Sequence, residues 1–598
     1  MTVQWGASSM EHLAENVSGA AKKNIERWLS EPKYAEYRGE LEQMIAEEQW
    51  QQLEDAFFTV IDFGTAGRRG ATGVGSNRIN RVTVGESAQA LCQYALTADP
   101  DAANKGIVIA CDTRLSSPEL SRHCASVCAA NGFRTYIFES FRSTPELSFA
   151  VRHLGCAAGI VITASHNPPS DNGFKAYWSD GGQVAAPHDS GILAVAADID
   201  EIAMVDYDHA VKQGQIVEIG PDIDEAYIAA AAAQTEGAAR EVTIVYSPLH
   251  GAGQRNTLPV LERAGFHDII PVAAQMTPDG RFPTVENGRP NPEDALANAL
   301  AVATMMAKRA DIAITNDPDA DRIGIMVRHG DDVVYLSGNQ AGVLATDYVL
   351  KQRRDEGFHG GEYIAKTFVT TDMLPALASS YGVACVEDLP VGFKYFAKLI
   401  LEREGTGAEF LLGVEESFGM LKGDYARDKD GATGALPIAE YTAELKAAGK
   451  TLFGRLLELY QTHGLYIERL DNIMYPGADG FARMQAIMQR LREQPPTEIE
   501  SHTISAVVDY ASLTRRDMTD RSTKPLTAVS GNIIVLELDG DKRRRLTIRP
   551  SGTEPKIKVY SQWYEAANHD VPIQSQYDAA RAYLEGLGET LEGLLLSE

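Results

Sequence analysis

Cysteine is scarce in this chain, with six cysteines among 598 residues and no C-x-x-C pair. Such sparse cysteines are typical of reduced and mostly buried thiols. Long apolar runs are also missing, since no stretch approaches the roughly 18 apolar residues that a membrane-spanning helix needs. The N-terminus has neither a basic start nor an apolar segment of the signal-peptide kind. The sequence therefore predicts neither a membrane span nor a signal peptide, and we expect a cytoplasmic protein.

Positive charge is in short supply as well. The chain has 55 Lys and Arg against 83 Asp and Glu, which gives a formal net charge of −28. A surface of this sign repels nucleic acids and anionic lipids, so neither is an expected partner. Any phosphate group that the protein binds must be held by a local basic pocket. Hydrophobic residues at 44% and charged residues at 23% exclude a disordered or fibrous chain.

The length predicts about four domains at roughly 150 residues each. Residues 8 to about 56 are rich in Glu, Gln, Lys and Ala and predict helices, whereas residues 57–62 predict a first strand. Short apolar strands then alternate with helical stretches, which favours parallel sheets covered by helices. These strands are predicted within residues 106–112, 134–139, 158–165, 241–248, 310–317 and 408–417.

The last part of the chain has a different pattern. Residues 530–560 alternate between apolar and polar residues, and Asp539-Gly540 between two such runs indicates a hairpin. We therefore expect an α/β protein with parallel sheets through most of the chain and a C-terminal α+β domain with antiparallel strands. The expected divisions are a helical extension and four domains, at residues 1–56, 57–235, 236–340, 341–466 and 467–598.

Two motifs follow predicted strands and carry candidate chemistry. In TASHNP (163–168), Ser165 stands on a turn at the carboxyl end of a strand, where open α/β sheets bind ligands. Its hydroxyl is a candidate nucleophile, and an ordinary polar turn is the alternative. In DPDADR (317–322), three carboxylates at alternate positions, Asp317, Asp319 and Asp321, would repel one another without a divalent cation such as Mg²⁺. A solvated acidic loop is the alternative there.

Three further segments suggest binding of phosphate and hydroxyl groups. RPSGTEP (549–555) offers Arg549 and a Gly-Ser-Thr turn suited to a phosphate, or else a plain hairpin turn. GVEES (413–417) offers acceptors for sugar hydroxyls, or else the acidic first turn of a helix. FGTAGRRG (63–70) follows a predicted strand with two arginines, and it lacks the G-x-G-x-x-G pattern of a dinucleotide site.

The four motifs TASHNP, DPDADR, GVEES and RPSGTEP, in this order, resemble those of the α-D-phosphohexomutase superfamily, from about residue 57 to the end. The helical extension resembles the bacterial phosphoglucomutase/phosphomannomutase branch, which also includes phosphopentomutase-like animal enzymes. The resemblance implies an intramolecular phosphotransferase that interconverts glucose 1-phosphate and glucose 6-phosphate through glucose 1,6-bisphosphate. Phosphomannomutase and phosphopentomutase activities are the alternatives. It also implies an α/β architecture of three mixed α/β domains and a C-terminal α+β domain around one central cleft. The implied substrate is a small phosphosugar, and the implied assembly is a monomer or weak homodimer.

The resemblance assigns roles to particular residues of this sequence. Ser165 would be the phosphoserine, and it would bind one Mg²⁺ per chain together with the three aspartates. Catalytic roles fall to Arg69, Lys175 and His166, with Lys175 as a base if its pKa is lowered. Substrate-binding roles fall to Arg322, Lys394, Glu415, Ser417, Lys429, Arg549, Ser551, Gly552 and Thr553.

Two rival functions remain open on the sequence. A phosphotransferase of the haloacid-dehalogenase type also uses a D-x-D motif and would carry the phosphate on Asp317. Its fifth motif position is usually Thr or Val, whereas this chain has Asp321, which favours metal binding. The second alternative is a non-enzymatic scaffold that has kept the fold.

Overall fold

The structure is a computed structural model, and it describes residues 12–13, 15–61, 67–475, 480–551 and 556–596. Gly552 and Thr553 of the predicted phosphate loop lie outside these residues. The described chain forms an N-terminal helical segment followed by four units, each built on its own β-sheet. In the described part of the chain, no helix is both long and apolar enough to span a bilayer.

The N-terminal helical segment packs its apolar face around Trp28. Its helices are α1 (Gly19–Ser30), a 3-10 turn (Pro32–Tyr37), α2 (Arg38–Ala46) and α3 (Trp50–Phe57). The Trp28 ring stacks on Tyr34 at 4.4 Å and meets the edge of Phe57 at 5.4 Å. The predicted strand at 57–62 is wrong, because Leu53 and Phe57 are four residues apart on the buried face of α3. Residues 58–61 form no regular element, and Asp62 lies outside the described residues.

Unit 1 is a six-stranded mixed sheet in the order β1-β5-β4-β2-β3-β6. Its strands are β1 (Arg68–Ala71), β2 (Ile107–Cys111), β3 (Thr135–Phe138), β4 (Ala158–Ile162), β5 (Asp171–Trp178) and β6 (Ile216–Ile219). Its helices are α4 (Arg81–Ala98), α5 (Ala102–Lys105), α6 (Ser117–Ala130), α7 (Thr144–Leu154), α8 (His188–Ala197), α9 (Tyr207–Lys212) and α10 (Pro221–Ala232). Strands β2, β3, β4 and β6 are parallel, so their carboxyl ends share one edge of the sheet. The candidate nucleophile Ser165 follows β4 at that edge.

Unit 2 is a five-stranded mixed sheet in the order β11-β10-β9-β7-β8. Its strands are β7 (Ile244–Ser247), β8 (Ile269–Pro271), β9 (Ile312–Asn316), β10 (Ile323–His329) and β11 (Asp332–Leu336). Its helices are α11 (Thr257–Arg263) and α12 (Ala299–Lys308). The antiparallel pairing of β9 with β10 places the acidic motif in the turn between them.

Unit 3 is a four-stranded mixed sheet in the order β13-β12-β14-β15. Its strands are β12 (Glu362–Thr367), β13 (Ala384–Leu389), β14 (Glu409–Glu415) and β15 (Gly419–Lys422). Its helices are α13 (Gly338–Glu356), α14 (Met373–Tyr381), α15 (Lys394–Arg403), α16 (Gly431–Ala447) and α17 (Leu452–His463). The GVEES motif spans the end of β14 and the tight turn into β15.

Unit 4 is an eight-stranded antiparallel sheet with two helices. Its strands are β16 (Leu465–Met474), β17 (Glu498–Ile499), β18 (His502–Asp509), β19 (Thr514–Asp517), β20 (Thr523–Pro525), β21 (Ile534–Leu538), β22 (Asp541–Pro550) and β23 (Lys556–Glu565). Its helices are α18 (Gly480–Glu493) and α19 (Ile573–Leu596). Asp539 and Gly540 join β21 to β22 with φ angles of 54° and 75°, so the predicted hairpin is confirmed.

The predicted fold class is confirmed, with three mixed α/β sheets and an antiparallel C-terminal unit. Two predicted boundaries fall inside regular elements: residue 340 lies in α13 and residue 466 in β16. The turn before α13 is a single residue, Ser337, which caps the helix through its side chain. Because so short a connection has no distinct composition, the sequence did not reveal the boundary to the residue.

Candidate active site

Ser165 presents its hydroxyl to the acidic motif of the neighbouring unit. Its Oγ donates a hydrogen bond to Asp317 Oδ2 at 2.6 Å and lies 3.2 Å from His166 Nδ1. The serine is almost fully buried, and its φ of 51° is in the left-handed region that residues with a Cβ rarely adopt. Such backbone strain is typical of functional turns. The turn after β4 thus brings the candidate nucleophile into contact with unit 2.

The three aspartates form a compact, buried cluster. Asp317, Asp319 and Asp321 each offer an oxygen within 4.8 Å of the others, and none is more than 1% exposed. Burial, followed by the charges of the other two, holds the pKa of Asp317 well above its usual range. One oxygen each of Asp319 and Asp321 is buried without a hydrogen-bond partner. Unpaired buried carboxylate oxygens at this spacing fit a hard divalent cation.

Two lysines reach the same cluster. Lys175 Nζ donates to Asp319 Oδ2 at 2.8 Å and lies 3.4 Å from Asp321 Oδ2, while Lys429 Nζ lies 2.9 Å from Asp321 Oδ2. Burial alone would lower the pKa of Lys175, but Asp319 and Asp321 outweigh burial and raise it. The lowered pKa that a base at Lys175 requires is therefore absent from this arrangement. The two carboxylates instead favour the protonated form of Lys175.

Arg69 lies on β1 beside the serine turn. In the register of β1 with β5, Arg69 stands opposite Gly173. A Cβ at Gly173 would lie 2.5 Å from the Thr163 carbonyl oxygen, so only glycine permits this approach of the strands.

The pKa of His166 is held well below its usual range, first by burial and then by the positive charges of Arg322 and Arg69. His166 is consequently neutral and can accept or donate a hydrogen bond at Ser165 Oγ.

The predicted sugar-reading residues lie at the end of β14. Glu415 Oε1 accepts a hydrogen bond from the Gly392 backbone N–H at 3.0 Å, and burial raises the pKa of this carboxyl to about 7. A Cβ at Gly419 would lie 2.3 Å from Lys429 Cδ and 3.3 Å from Glu415 Oε2. This glycine therefore lets Lys429 lie close to Glu415. Ser417 follows on the turn and is partly exposed.

Glu416, the second carboxylate of the GVEES motif, has a structural role. Its Oε2 accepts hydrogen bonds from Thr367 Oγ1 at 3.1 Å and Thr370 Oγ1 at 3.3 Å. These contacts tie the turn to the end of β12. The two adjacent acids therefore have different environments, which the sequence alone did not distinguish.

Arg322 and Lys394 occupy different places. Arg322 Nη1 donates to Glu293 Oε1 at 2.9 Å, and its Nε lies 3.9 Å from Asp321 Oδ1, so this guanidinium belongs to the acidic cluster. Lys394, at the start of α15, reaches across to unit 1, where its Nζ lies 3.4 Å from Asp189 Oδ2. Lys394 thus marks the boundary between units 1 and 3.

Unit 4 contributes basic residues from the β22–β23 hairpin. Arg549 pairs with Lys558 across the strands and hydrogen-bonds the Tyr560 side chain. Burial and the neighbouring charge of Lys556 lower the pKa of Lys558, which also senses the charges of Glu416 and Arg322. Ser551 N–H donates to the Lys556 carbonyl at 2.8 Å and so closes the described part of the loop. Lys558 therefore lies close enough to Arg322, Glu416 and His166 for their charges to interact.

Sequence reasoning missed two residues of the site. Thr144 Oγ1 donates to Asp319 Oδ2 at 2.9 Å, and Arg114 contacts the serine turn. Arg114 and Thr144 follow β2 and β3, at the same edge of the parallel strands as Ser165. Polar residues after those two strands are the signal that could have found them.

The chain matches three family models of the phosphoglucomutase/phosphomannomutase family. Their descriptions are alpha/beta/alpha domain I, at residues 60–203, domain II, at residues 225–330, and domain III, at residues 337–462. These ranges contain the sheets of units 1, 2 and 3 almost completely, with β6 of unit 1 and β11 of unit 2 lying outside them.

Curated relatives with the same name come from two staphylococci. The chain is 33% identical over 513 residues to "Phosphoglucomutase" of Staphylococcus aureus (strain bovine RF122 / ET3-1), covering 85% of this chain and 90% of the relative. It is 33% identical over 540 residues to "Phosphoglucomutase" of Staphylococcus saprophyticus, covering 89% and 96%.

Solved structures share the fold. A putative phosphomannomutase from Thermus thermophilus matches with a TM-score of 0.60 at 23% identity, covering 88% of this chain and 99% of the other. The open form of pp63/parafusin from Paramecium matches with a TM-score of 0.61 at 18% identity, covering 89% and 96%. With three matching family models and relatives above 30% identity over most of its length, the chain belongs to the phosphoglucomutase/phosphomannomutase family.

Proposed function

We propose that the protein is a phosphoglucomutase that interconverts glucose 1-phosphate and glucose 6-phosphate. The observation that carries this proposal is the contact of Ser165 Oγ with Asp317 Oδ2 at 2.6 Å, inside a buried cluster of three carboxylates and two lysines. A hydroxyl in that setting suits phosphoryl transfer, which depends on alignment and charge neutralisation more than on covalent chemistry. The two staphylococcal relatives named phosphoglucomutase support the choice of sugar.

The cation that fits the cluster is Mg²⁺, one per chain. Asp317, Asp319 and Asp321 would hold it through oxygen ligands, and the unpartnered oxygens of Asp319 and Asp321 support this assignment. When bound, Mg²⁺ supplies positive charge that neutralises the oxygens of a phosphoryl group on Ser165. Metal content after dialysis against Mg²⁺ tests the assignment, and we expect one equivalent in the native chain and none after replacement of all three aspartates.

The reaction runs in two halves, with Ser165 as the phosphate carrier. Phospho-Ser165 transfers its phosphate to a hydroxyl of a sugar monophosphate to give glucose 1,6-bisphosphate; the sugar hydroxyl loses its proton and Ser165 Oγ gains one. Ser165 then receives the other phosphate of this intermediate, its Oγ loses the proton, and the released sugar oxygen gains one. Neutral His166 lies within reach of the Ser165 hydroxyl proton, with its Nδ1 at 3.2 Å from Oγ. Lys175 and Arg69 balance charge on the transferring oxygens.

The two orientations of the bisphosphate require symmetric recognition. Glu415 and Ser417 offer acceptors for sugar hydroxyls in either orientation, with Lys429 beside Glu415 as a donor. We assign Arg549, Ser551, Gly552 and Thr553 to binding of the phosphate that is distant from Ser165. Arg322 and Lys394 complete the charged lining of the cleft.

Unit 4 is the mobile gate of this cleft in our proposal. Its contact with unit 3 has a polar part, in which Arg545 pairs with Asp372 and donates to the Phe368 carbonyl at 3.1 Å. It also has an apolar part, in which the Phe368 ring stacks on Tyr510 at 5.2 Å and Val369 packs in one cluster with Tyr560. Closure would exclude water while the bisphosphate reorients, which limits loss of phosphate to hydrolysis.

Turnover on three sugar phosphates tests the assignment. We expect kcat/KM to be highest on glucose 1-phosphate, lower on mannose 1-phosphate and lower on ribose 1-phosphate. Glucose 1-phosphate as the slowest of the three would contradict the assignment and favour the phosphomannomutase or phosphopentomutase alternative. A cytoplasmic location and a monomer or weak homodimer remain part of the proposal, and light scattering on the purified chain tests the oligomeric state.

A further inference from the structure

The backbone of Ser165 is anchored at both of its polar groups. Its N–H donates to Thr163 Oγ1 at 2.8 Å, and its carbonyl oxygen accepts from Arg114 Nη2 at 2.6 Å. Since the left-handed conformation of Ser165 is costly for a residue with a Cβ, neighbouring groups must hold it in place. Arg114 is the side chain that contacts this carbonyl.

Arg114 uses its entire guanidinium group on this turn and its support. Nη2 also donates to the Asn167 carbonyl at 2.6 Å, and Nη1 donates to the carbonyls of Pro168 at 2.6 Å and Asp171 at 2.9 Å. Nε donates to Asp112 Oδ2 at 3.1 Å. A guanidinium has five N–H donors in a fixed plane, whereas a lysine has three on one atom. Only arginine can make all of these contacts at once.

Asp112 fixes the orientation of this guanidinium. The fully buried carboxylate accepts from the Arg114 backbone N–H at 2.9 Å and from Ser117 Oγ at 2.6 Å. Its second oxygen accepts from Thr163 Oγ1 at 2.7 Å, and this same hydroxyl accepts from the Ser165 N–H. Asp112 therefore links Thr163 and Arg114, the two side chains that hydrogen-bond the Ser165 backbone, in one network.

A loop of unit 2 covers the network. The Phe282 ring lies 5.3 Å from Arg114 Cζ, in cation–π range. A Cβ at Gly280 would lie 2.6 Å from Arg114 Cα, so the loop packs directly on the backbone that carries the arginine. His250 holds this loop through the Thr277 carbonyl at 2.8 Å and Thr284 Oγ1 at 2.9 Å. The cover over Arg114 thus belongs to the unit that carries the acidic cluster.

We propose that Arg114 is a positioning residue for phosphoryl transfer, which holds Ser165 Oγ in line with the acidic cluster and lets docking of unit 2 through Phe282 stabilise that alignment. The inference rests on the proposed function, because it concerns the same serine. Arg114 touches neither the acidic cluster nor the sugar-reading loop in its described contacts. Its loss should therefore slow phosphoryl transfer while leaving sugar-phosphate affinity almost unchanged.

The test compares Arg114→Met and Arg114→Lys with Arg142→Lys, a control at another buried arginine of unit 1 that pairs with Asp224 away from the serine turn. For each protein we would measure the single-turnover rate of Ser165 phosphorylation by glucose 1,6-bisphosphate, the Kd of glucose 6-phosphate and the Tm. A displacement of about 1 Å in a reacting group costs about 10²-fold in rate. We expect the phosphorylation rate of Arg114→Met to fall roughly 10²-fold and that of Arg114→Lys to fall less. The Kd of glucose 6-phosphate should stay within about threefold of wild type in both variants, because only the position of Ser165 changes.

The outcomes separate positioning from a general structural role. A folded Arg114→Met variant whose phosphorylation rate is within about threefold of wild type would overturn the inference. A rate loss matched by Arg142→Lys at equal Tm would overturn it too. If Arg114→Met does not fold, Phe282→Leu replaces it, with a rate loss of a few-fold supporting the inference and an unchanged rate opposing it. Failure of the proposed function itself has another signature, since wild type would then take no phosphate on Ser165.

Discussion

The Glu415 carboxyl makes the proposed sugar recognition dependent on pH. Burial raises its pKa to about 7, with Lys429 acting in the opposite direction. The ionised carboxylate accepts hydrogen bonds at both oxygens, whereas the protonated form loses part of this capacity. With a pKa near 7, the ionised fraction falls from about 90% at pH 8 to about 10% at pH 6. We therefore expect the contribution of Glu415 to kcat/KM on glucose 1-phosphate to fall about tenfold over this range.

The assay is the pH profile of kcat/KM for wild type and Glu415→Gln. The amide can still accept from the Gly392 N–H but cannot ionise, so its profile shows only other titrations, including that of the substrate phosphate near pH 6. Loss of a charge-assisted hydrogen bond, worth about 1.5–3 kcal/mol, predicts a roughly 10- to 10²-fold decrease at pH 8. The ratio of wild type to variant should shrink about tenfold towards pH 6. Glu416→Gln is the matched control, and its ratio to wild type should stay constant.

The raised pKa of Glu415 also makes the stability of the fold depend on pH. A carboxyl whose pKa is higher in the folded than in the unfolded protein stabilises the fold below its unfolded pKa and loses that contribution as pH rises through its folded pKa. For Glu415 this window runs from its ordinary value of 4.5 to about 7, which corresponds to about 3 kcal/mol. The Tm of Glu415→Gln relative to wild type should therefore rise between pH 5 and pH 8. A constant relative Tm, together with a constant kcat/KM ratio, would refute this reasoning.

Three further predictions follow from the acidic cluster and the unit interface. Asp319→Asn should weaken Mg²⁺ binding at least about tenfold in calorimetry, because ligand charge sets affinity, and an unchanged Kd would oppose the metal assignment. Lys175→Met should lower kcat about 10²- to 10³-fold, because it removes a positive charge that balances the transferring oxygens. Lys175→Arg keeps that charge and should recover part of kcat. A Met variant with kcat within about tenfold of wild type would exclude a catalytic role for Lys175. Arg545→Met should loosen the contact of unit 4 with Asp372, at a cost of about 1.5–3 kcal/mol, and should increase the radius of gyration in small-angle scattering, whereas Lys542→Met should leave it unchanged.

The fold was largely predictable because its parallel strands are continuous apolar runs. Runs such as 158–165 and 310–317 are buried on both faces, so a local pattern suffices to find them. The strand predicted at 57–62 is wrong because a short apolar run can also belong to the buried face of a helix. Phe57 is as apolar as a strand residue, but its burial comes from helical spacing with Leu53, which only packing against Trp28 reveals.

The site was predictable where chemistry is concentrated in short motifs. Ser165 and the three aspartates each follow a strand, and the structure brings them into contact. The direction in which the pKa of Lys175 shifts was not predictable, because it depends on Asp319 and Asp321, which are far away in the sequence. Arg114 was missed because its contacts are with backbone carbonyls, and no residue type marks a carbonyl as a partner.

The identity of the phosphate-carrying residue is the central claim, and one measurement tests it directly. Wild-type protein is incubated with glucose 1,6-bisphosphate, digested, and the phosphorylated peptide is identified by mass spectrometry before and after hydroxylamine treatment. Our account predicts one acid-stable, hydroxylamine-resistant phosphate on Ser165, which is absent from Ser165→Ala. A hydroxylamine-labile phosphate on Asp317 would contradict it and would favour an aspartyl phosphotransferase instead.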